Sequence, residues 1–286
     1  MENSTLREFI LKSLAEDLGD GDHTSMACIP ESATGKAKLL IKEKGVLAGI
    51  RVAKELFVTI DKTLKFEAVL EDGARVVPGD IAFFISGPQQ SILKSERLVL
   101  NIMQRMSGIA TMAFQFRDKV KHTKAKIIDT RKTVPGLRLI DKLAVRIGGC
   151  ENHRMGLYDM FLIKDNHIAV AGSITKAVKE CSDYRVLRSI DFPIEVETTN
   201  LLEVAEAIQA GADIIMLDNF EIGDMARAVK LIKGKCKVEA SGGVNFYTVK
   251  NIAETGVDFI SVGAVTHSVK SLDISLEVQL SWVHAK

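Results

Sequence analysis

Six short apolar, β-branched runs recur through the second half of the chain: KAKIIDT, MFLIKDN, FPIEVET, ADIIMLDN, CKVEASGG and DFISVGA. The stretches between them, such as SITKAVKECS, NLLEVAEAIQAG, IGDMARAVKLIKG and FYTVKNIAETG, carry apolar residues at helical spacing. Runs this apolar do not suit a half-exposed sheet, so repeated strand–helix units of this kind imply parallel strands covered by helices. Nearly every run ends in a charged or small residue: Asp129-Arg131, Lys164-Asp165, Glu197, Asp218, Ser241-Gly242 and Gly263. In an α/β barrel the site is built at the carboxyl ends of the strands, so these six ends are expected to face one cavity. A seventh strand is sought between residues 134 and 150, where the pattern assigns nothing firmly.

The first third reads differently. Residues 5–18 form an expected surface helix with Leu6, Phe9, Ile10 and Leu14 inward, stopped by Gly19 and the polar turn GDGDHTS. Between about 35 and 92 the stretches AKLLIKEKGVLAG, KFEAVL, ARVVPGDIAFFISG and QSILK alternate in polarity, which predicts a largely β domain with one helix near 50–60. ERLVLNIMQRMSGIATMAFQFRDKVKH, residues 96–122, has helical spacing interrupted by Gly108, and two helices are expected, the first ending near Met106. The expected organisation is an amino-terminal α+β domain over 1–110 and an α/β barrel over 111–269, with a helix over 270–286 packing on the first domain.

With 47% hydrophobic and 26% charged residues the chain can bury a large core. Its net charge of +1 gives no global field for nucleic acid or an anionic membrane, so an anion site must be a local gathering of cations. Cys28, Cys150, Cys181 and Cys236 lack CxxC spacing, which points to reduced thiols rather than a zinc site or disulfides. The acidic, amphipathic start is neither a signal peptide nor an anchor, and no apolar run reaches about 18 residues. A cytoplasmic protein with a small-molecule partner is expected.

The cations gather between Asp129 and His167, in DTRKTVPGLRLIDKLAVRIGGCENHRMGLYDMFLIKDNH. Arg131, Arg154 and Lys164 sit where strand-end geometry turns them inward, and arginine forks suit carboxylate or phosphate. The plainer alternative makes them surface charges balanced by Asp129, Asp141, Asp159 and Asp165. Arg138, Lys142 and Arg146 share one helix face, which solvation explains as well as a ligand does. Glu197 and Asp218 end runs on different strands and offer the hard oxygens of a magnesium site, or one of them forms a structural ion pair with a lysine. Glu195 points to the same side of its strand as Glu197, lower in the barrel. The small residues of ASGGV (240–244) and SVGA (261–264) let backbone approach a phosphate. For His153, ligand contact and structural hydrogen bonding both stand open; His167 and His267 read more readily as structural. The set implies a carboxylated acceptor, a phosphorylated donor and magnesium, and leaves the acceptor unnamed.

DTRKTVPGLR, GGCENHRMGLYD, LIKDNH, EVET, MLDNF, EASGG and VGAVTHS together resemble the quinolinate phosphoribosyltransferases, and EDLGDGDHTS and ERLVLNIMQRMSGIAT extend the resemblance over nearly the whole chain. It implies a type II phosphoribosyltransferase with an open, seven-stranded α/β barrel. It also implies transfer from 5-phosphoribosyl-1-pyrophosphate to quinolinate, giving nicotinate mononucleotide, carbon dioxide and pyrophosphate in NAD biosynthesis. By the same resemblance Arg131, His153, Arg154 and Lys164 hold the quinolinate carboxylates. Arg97 reaches into a neighbouring subunit's site, which makes a homodimer with shared sites the minimum unit and leaves a hexamer open. Lys132 meets the donor, Glu197 and Asp218 bind its ribose and magnesium, and Ser241, Gly242 and Gly263 take its 5-phosphate. His267 is carried over only weakly. Cys150-Glu151, where the family usually has a glycine and a variable residue, departs from the pattern and puts the local loop shape in question. Two rivals are a Schiff-base aldolase barrel using Lys164 or Lys132 and a non-catalytic sensor of pyridine carboxylates. Molybdate-transport-associated homologues share the fold but lack KDNH.

Overall fold

The computed structural model describes residues 3–279. In chain order the elements begin with α1 (Asn3–Leu18), α2 (His23–Cys28), β1 (Thr34–Ile41), β2 (Gly45–Val46), α3 (Ile50–Ile60), β3 (Lys65–Ala68), β4 (Arg75–Val76), β5 (Ile81–Pro88) and α4 (Gln89–Val120). They continue with β6 (Lys126–Ile128), α5 (Arg138–Ile147), β7 (Phe161–Ile163), α6 (Asp165–Ala171), α7 (Ile174–Arg188), β8 (Ile194–Thr198), α8 (Leu201–Ala210) and β9 (Ile214–Asp218). The last are α9 (Ile222–Ile232), β10 (Lys237–Ser241), α10 (Val249–Glu254), β11 (Phe259–Ser261), α11 (Ala264–His267) and β12 (Ile274–Gln279). The chain divides into a first unit, of residues up to Met112, Leu139–Gly149 and from Val269 on, and a second of Ala113–Arg138 and Cys150–Ser268.

In the first unit an antiparallel sheet of order β12-β1-β5-β3 carries the core. The amphipathic α3 buries Val52, Ala53, Leu56 and Phe57, and Phe57, Phe66 and Phe83 gather with centroids 4.7 to 5.9 Å apart. Leu6, Ile10 and Leu14 of α1 are buried, as the helical spacing predicts. Three expectations change. QSILK opens α4 rather than closing the β region, and α4 runs unbroken where two helices were expected. Gly108 is there for space: a Cβ would collide with the carbonyl oxygen of Lys270 and meet Val269 Cγ1 at 2.9 Å. The glycine thus marks the passage of a neighbouring backbone and leaves the helix intact. Finally, the helix expected over 270–286 is in part the strand β12, paired with β1 from Ile274↔Ile41 to Gln279↔Lys36; residues 280–286 lie outside the described chain. The alternation ISLEVQ suits one face on a core, which overrides a helical reading.

The second unit is a parallel sheet of order β6-β11-β10-β9-β8-β7 with helices between successive strands. The six expected strands are present. Residues 138–147, where a seventh was sought, are the helix α5, whereas Glu151 alone bridges β6, donating from its amide to Ile127 O at 2.9 Å and accepting from Asp129 N at 3.2 Å. The seventh position of the open barrel is therefore one residue long. Its neighbour Cys150 is buried and donates to Ala113 O at 3.2 Å; burial pushes the thiol up to about 12, so it packs as a small apolar group. Among the described residues no helix is long and apolar enough to cross a membrane.

Alanine usually stabilises a helix interior over glycine by roughly 1 kcal/mol. Because the backbone at Lys270 cannot swing aside, Gly108→Ala is expected to reverse that sign and cost about 1–3 kcal/mol in urea denaturation. A gain in stability would show that the 269–270 segment yields freely.

Candidate active site

The carboxyl ends of all six strands line one cavity of about 830 Å³, which a flat sheet could not arrange. Following the sheet order, its wall divides into three sectors. Arg131 and Lys132 follow β6, His153 and Arg154 follow the Glu151 bridge, and Lys164 follows β7. Glu197 and Asp218 stand at the ends of β8 and β9; Ser241, Gly242 and Gly243 end β10, and Gly263, Ala264 and His267 follow β11. Cations, carboxylates and small residues thus occupy contiguous arcs.

The basic arc is fixed by its own loops. Asp129, fully buried, accepts the His153 amide at 2.9 Å, and Asp159 accepts the amides of Met155 at 2.7 Å and Gly156 at 3.0 Å. Arg138 braces this loop from the other side, donating to Thr133 Oγ1 at 3.1 Å and Met155 O at 3.0 Å. Asp141 is bound to Arg105 by two 2.7 Å bonds, and Asp165 accepts the Asn166 amide. Of the aspartates weighed as counter-charges, Asp141 pairs with Arg105 and Asp165 accepts a backbone amide, whereas Asp159 also acts on Arg154 through its charge. The shared-face reading of Arg138, Lys142 and Arg146 also changes, because Lys142 is buried while Arg146 is exposed. Arg154 donates to Met160 O at 3.3 Å, and burial together with the neighbouring Arg131 charge lowers its pKa. A half-buried guanidinium beside a second, exposed one is relieved by an anion.

Lys164 donates to Glu197 Oε2 at 2.8 Å, so the expected alternative of a lysine ion pair is realised in this state. Its backbone amide donates to His167 Nδ1 at 2.9 Å, which assigns His167 to holding the start of α6. Asp218 accepts from Asn219 Nδ2 at 2.7 Å. Glu197 and Asp218 are hard oxygen donors on adjacent strands and fit a magnesium ion, the Lys164 ammonium being the cation that Glu197 now holds. Lys132 leans toward the small-residue arc: its side chain and that of His267 both come within 3.1 Å of where a Cβ on Gly263 would stand. Thr266 Oγ1 ties this arc to Lys132 O at 2.9 Å. Arg97 is exposed on α4, in the first unit.

Beneath the rim lies a cluster that the sequence left half seen. Residues two apart on a strand face the same side, so Glu195 sits one layer below Glu197 and Glu239 one layer below Ser241. His153 reaches down between them, its Nε2 3.0 Å from Glu195 Oε2 and 3.4 Å from Glu239 Oε2. Its Nδ1 accepts the Arg154 amide at 2.8 Å. Burial disfavours the charged ring, but the bonds to Glu195 and Glu239 outweigh it and draw the His153 pKa up to about 9. Burial, reinforced by the Glu239 charge, pushes Glu195 up to about 7. The Arg154 amide at Nδ1 opposes the rise at His153, because a ring charged at both nitrogens would set two N–H groups against each other; the hydrogen bonds as placed are those of a ring protonated on Nε2. The three donor groups lie within 4.8 Å of one another and could hold a metal ion; as placed, Nε2 faces one oxygen of each carboxylate. Glu239 was missed in the sequence. Its signal was there: KVEAS repeats the spacing of Glu195 and Glu197 in IEVET.

Two glycines of the small-residue arc differ in kind. Gly242 has φ +89° and a Cβ would collide with the Asn219 side chain, whereas Gly243 has φ +57° with open space around it.

The family described as "Quinolinate phosphoribosyl transferase, N-terminal domain" matches residues 22–107, and its "C-terminal domain" counterpart matches residues 109–277. Among curated relatives, the chloroplastic nicotinate-nucleotide pyrophosphorylase [carboxylating] of Arabidopsis thaliana is 46% identical, over 96% of this chain and 82% of the relative. The probable enzyme of that name from Bacillus subtilis is 41% identical, over 98% and 96%. The solved nicotinate-nucleotide pyrophosphorylase of Francisella tularensis superposes with a TM-score of 0.89 at 41% identity, covering 98% of each chain.

For a residue with a Cβ the left-handed region costs about 1–2 kcal/mol, and at Gly242 the Asn219 clash adds to it. Gly242→Ala should therefore destabilise the chain by more than about 2 kcal/mol in urea, while Gly243→Asn should cost under about 1 kcal/mol. Equal costs would mean that the Asn219 contact imposes nothing.

Proposed function

The chain belongs to the quinolinate phosphoribosyltransferase family, and we propose that the three arcs of its cavity divide the two substrates between them. The enzyme transfers a phosphoribosyl group from 5-phosphoribosyl-1-pyrophosphate to quinolinate with decarboxylation, forming nicotinate mononucleotide, carbon dioxide and pyrophosphate for NAD biosynthesis. The observation that carries the division is that one cavity is lined by Arg131, Arg154 and Lys164 along one arc and by Asp218, Ser241, Gly242 and Gly263 along another.

Arg131, Arg154 and Lys164 receive the two carboxylates of quinolinate, anions suited to two neighbouring guanidiniums and an ammonium. His153 supports this arc from below, since both ring nitrogens are turned to protein groups. Glu197 and Asp218 take the ribose hydroxyls, and Ser241, Gly242 and Gly263 the 5-phosphate. Lys132, which leans toward Gly263, meets the donor. Glu197 and Asp218 would also hold magnesium, which supplies charge neutralisation for the departing pyrophosphate.

As pyrophosphate leaves, positive charge grows on the ribose carbon, and the two carboxylates at the ends of β8 and β9 stabilise it electrostatically. The basic arc holds the pyridine so that its nitrogen attacks that carbon. The pyridinium formed is an electron sink: the bond from ring carbon 2 to its carboxylate breaks, its electron pair stays on the ring carbon beside the cationic nitrogen, and a proton then replaces the lost group. A carboxylate held too firmly would resist leaving, so the contacts to the two carboxylates are unequal. Arg97, exposed on α4, serves the site of a second subunit, so the working unit is a homodimer or a hexamer. A cytoplasmic location belongs to the same reading, supported by the four free cysteines.

Purified protein with quinolinate, the phosphoribosyl donor and magnesium should release nicotinate mononucleotide and carbon dioxide; absence of product would refute the activity. Arg154→Ala should weaken quinolinate binding roughly 10- to 150-fold, the worth of a hydrogen bond to a charged group, with donor binding nearly unchanged. Comparable losses for both substrates would place Arg154 elsewhere. Arg97→Ala should be inactive alone and regain activity when mixed with Arg154→Ala, and failure of that rescue would remove the shared site.

A further inference from the structure

The floor of the cavity is costly as built. Glu195 and Glu239 are both buried, and Oε1 of each is without a hydrogen-bond partner among the described residues. Unmet carboxylate oxygens in a dry interior oppose folding. One carboxylate would suffice to orient one histidine. Both approach the same atom, His153 Nε2, from strands that are not neighbours in the sheet.

The geometry beyond that atom gives the pair a use. With Nε2 directed to the two carboxylates, Nδ1 is presented to the Arg154 amide at 2.8 Å, while the His153 amide is held by Asp129 at 2.9 Å. The peptide between His153 and Arg154 is thereby pinned on both sides. The Arg154 side chain leaves the backbone at that point, with one further bond, to Met160 O at 3.3 Å. The direction of its guanidinium therefore depends on the His153 ring plane.

We infer that Glu195 and Glu239 are positioning residues for the acceptor: they lock His153 from below so that its Nδ1 fixes the Arg154 amide and aims the guanidinium at a carboxylate of the ligand. This rests on the reading of Arg154 as an acceptor-binding residue. Glu195 lies outside the cavity lining and Glu239 reaches it, and both are turned to His153. The pair sets acceptor affinity through one histidine, much as outer groups set the orientation of a metal-bound histidine.

Four variants, Glu239→Leu, Glu239→Gln, Glu195→Leu and Glu195→Gln, together with Arg154→Ala and the Glu239→Leu/Arg154→Ala double variant, test this. Folding is followed by urea denaturation, and quinolinate and donor binding are measured separately by titration calorimetry. The leucine variants should weaken quinolinate binding about tenfold or more, with donor binding changed less than about threefold. The glutamine variants keep an acceptor for Nε2–H and should stay within about threefold of the parent. In the Arg154→Ala background Glu239→Leu should cost nothing further, because the guanidinium it aims is gone. Equal losses for both substrates, glutamine as damaging as leucine, or full additivity with Arg154→Ala would overturn the inference. If the leucine variants do not fold, the glutamine variants and the double variant carrying Glu239→Gln decide it by the same criteria. Should Arg154→Ala itself leave quinolinate binding intact, the reading of Arg154 falls; if it weakens binding while the glutamate variants do not, only the inference falls.

Discussion

A strand turns residues two apart toward the same side, and in this barrel that constraint builds the site in layers. On β8 and β10 the upper positions, Glu197 and Ser241, open on the cavity, and the lower ones, Glu195 and Glu239, are buried at its floor, where Glu239 still reaches the lining. Neither layer is free to change alone. Because the lower carboxylates are cut off from water, they depend on His153, and that demand draws the loop after Glu151 into the barrel. The same loop carries Arg154 to the rim. The basic arc is therefore anchored by buried acids on strands elsewhere in the sheet.

The layered floor also answers the question raised by Cys150 and Glu151. A bulkier residue than glycine at position 150 is absorbed because its thiol turns inward and bonds Ala113 O. Glu151 keeps the pairing that matters, with its amide and carbonyl engaged on β6 and its side chain turned out to Lys126 at 2.6 Å. Asp129 then takes the next amide but one, at His153. The loop shape is dictated by backbone groups, which any side chain at 150 and 151 can supply if it fits.

Periodicity disclosed the six barrel strands because buried parallel strands are apolar along most of their length, Glu195 and Glu239 aside, and the strand-end residues stood out against that background. It failed where the deciding contact was remote in sequence. Gly108 looked like a helix break because the crowding that requires it comes from residues 269–270, and β12 looked helical because its partner β1 lies over 200 residues away. The single-residue strand at Glu151 has no period to detect. At the site, the rim cations and carboxylates were legible as residue types, but the partnership of His153 with Glu239 was not, since it joins a loop to a strand 86 positions on and each residue alone looks ordinary. His167 was open in the sequence for the same reason; only the fold shows its Nδ1 turned to the Lys164 amide.

Lys164 and Glu197 connect the arcs. The ammonium and the carboxylate meet at 2.8 Å, although on the proposed roles each belongs to a different substrate. An acceptor carboxylate that takes Lys164 leaves Glu197 available to the ribose side, and a donor that takes Glu197 frees Lys164. The two halves of the cavity are thus linked by exchange of partners and need no movement of a strand. The lysine is 45% exposed, so the pair is worth at most about 1 kcal/mol and the linkage at most about fivefold in affinity. That is too little to compete with a dianion or a pyrophosphate. An ion pair buried as deeply as the floor would not exchange on these terms, so the switchable pair sits at the rim and the fixed cluster below it.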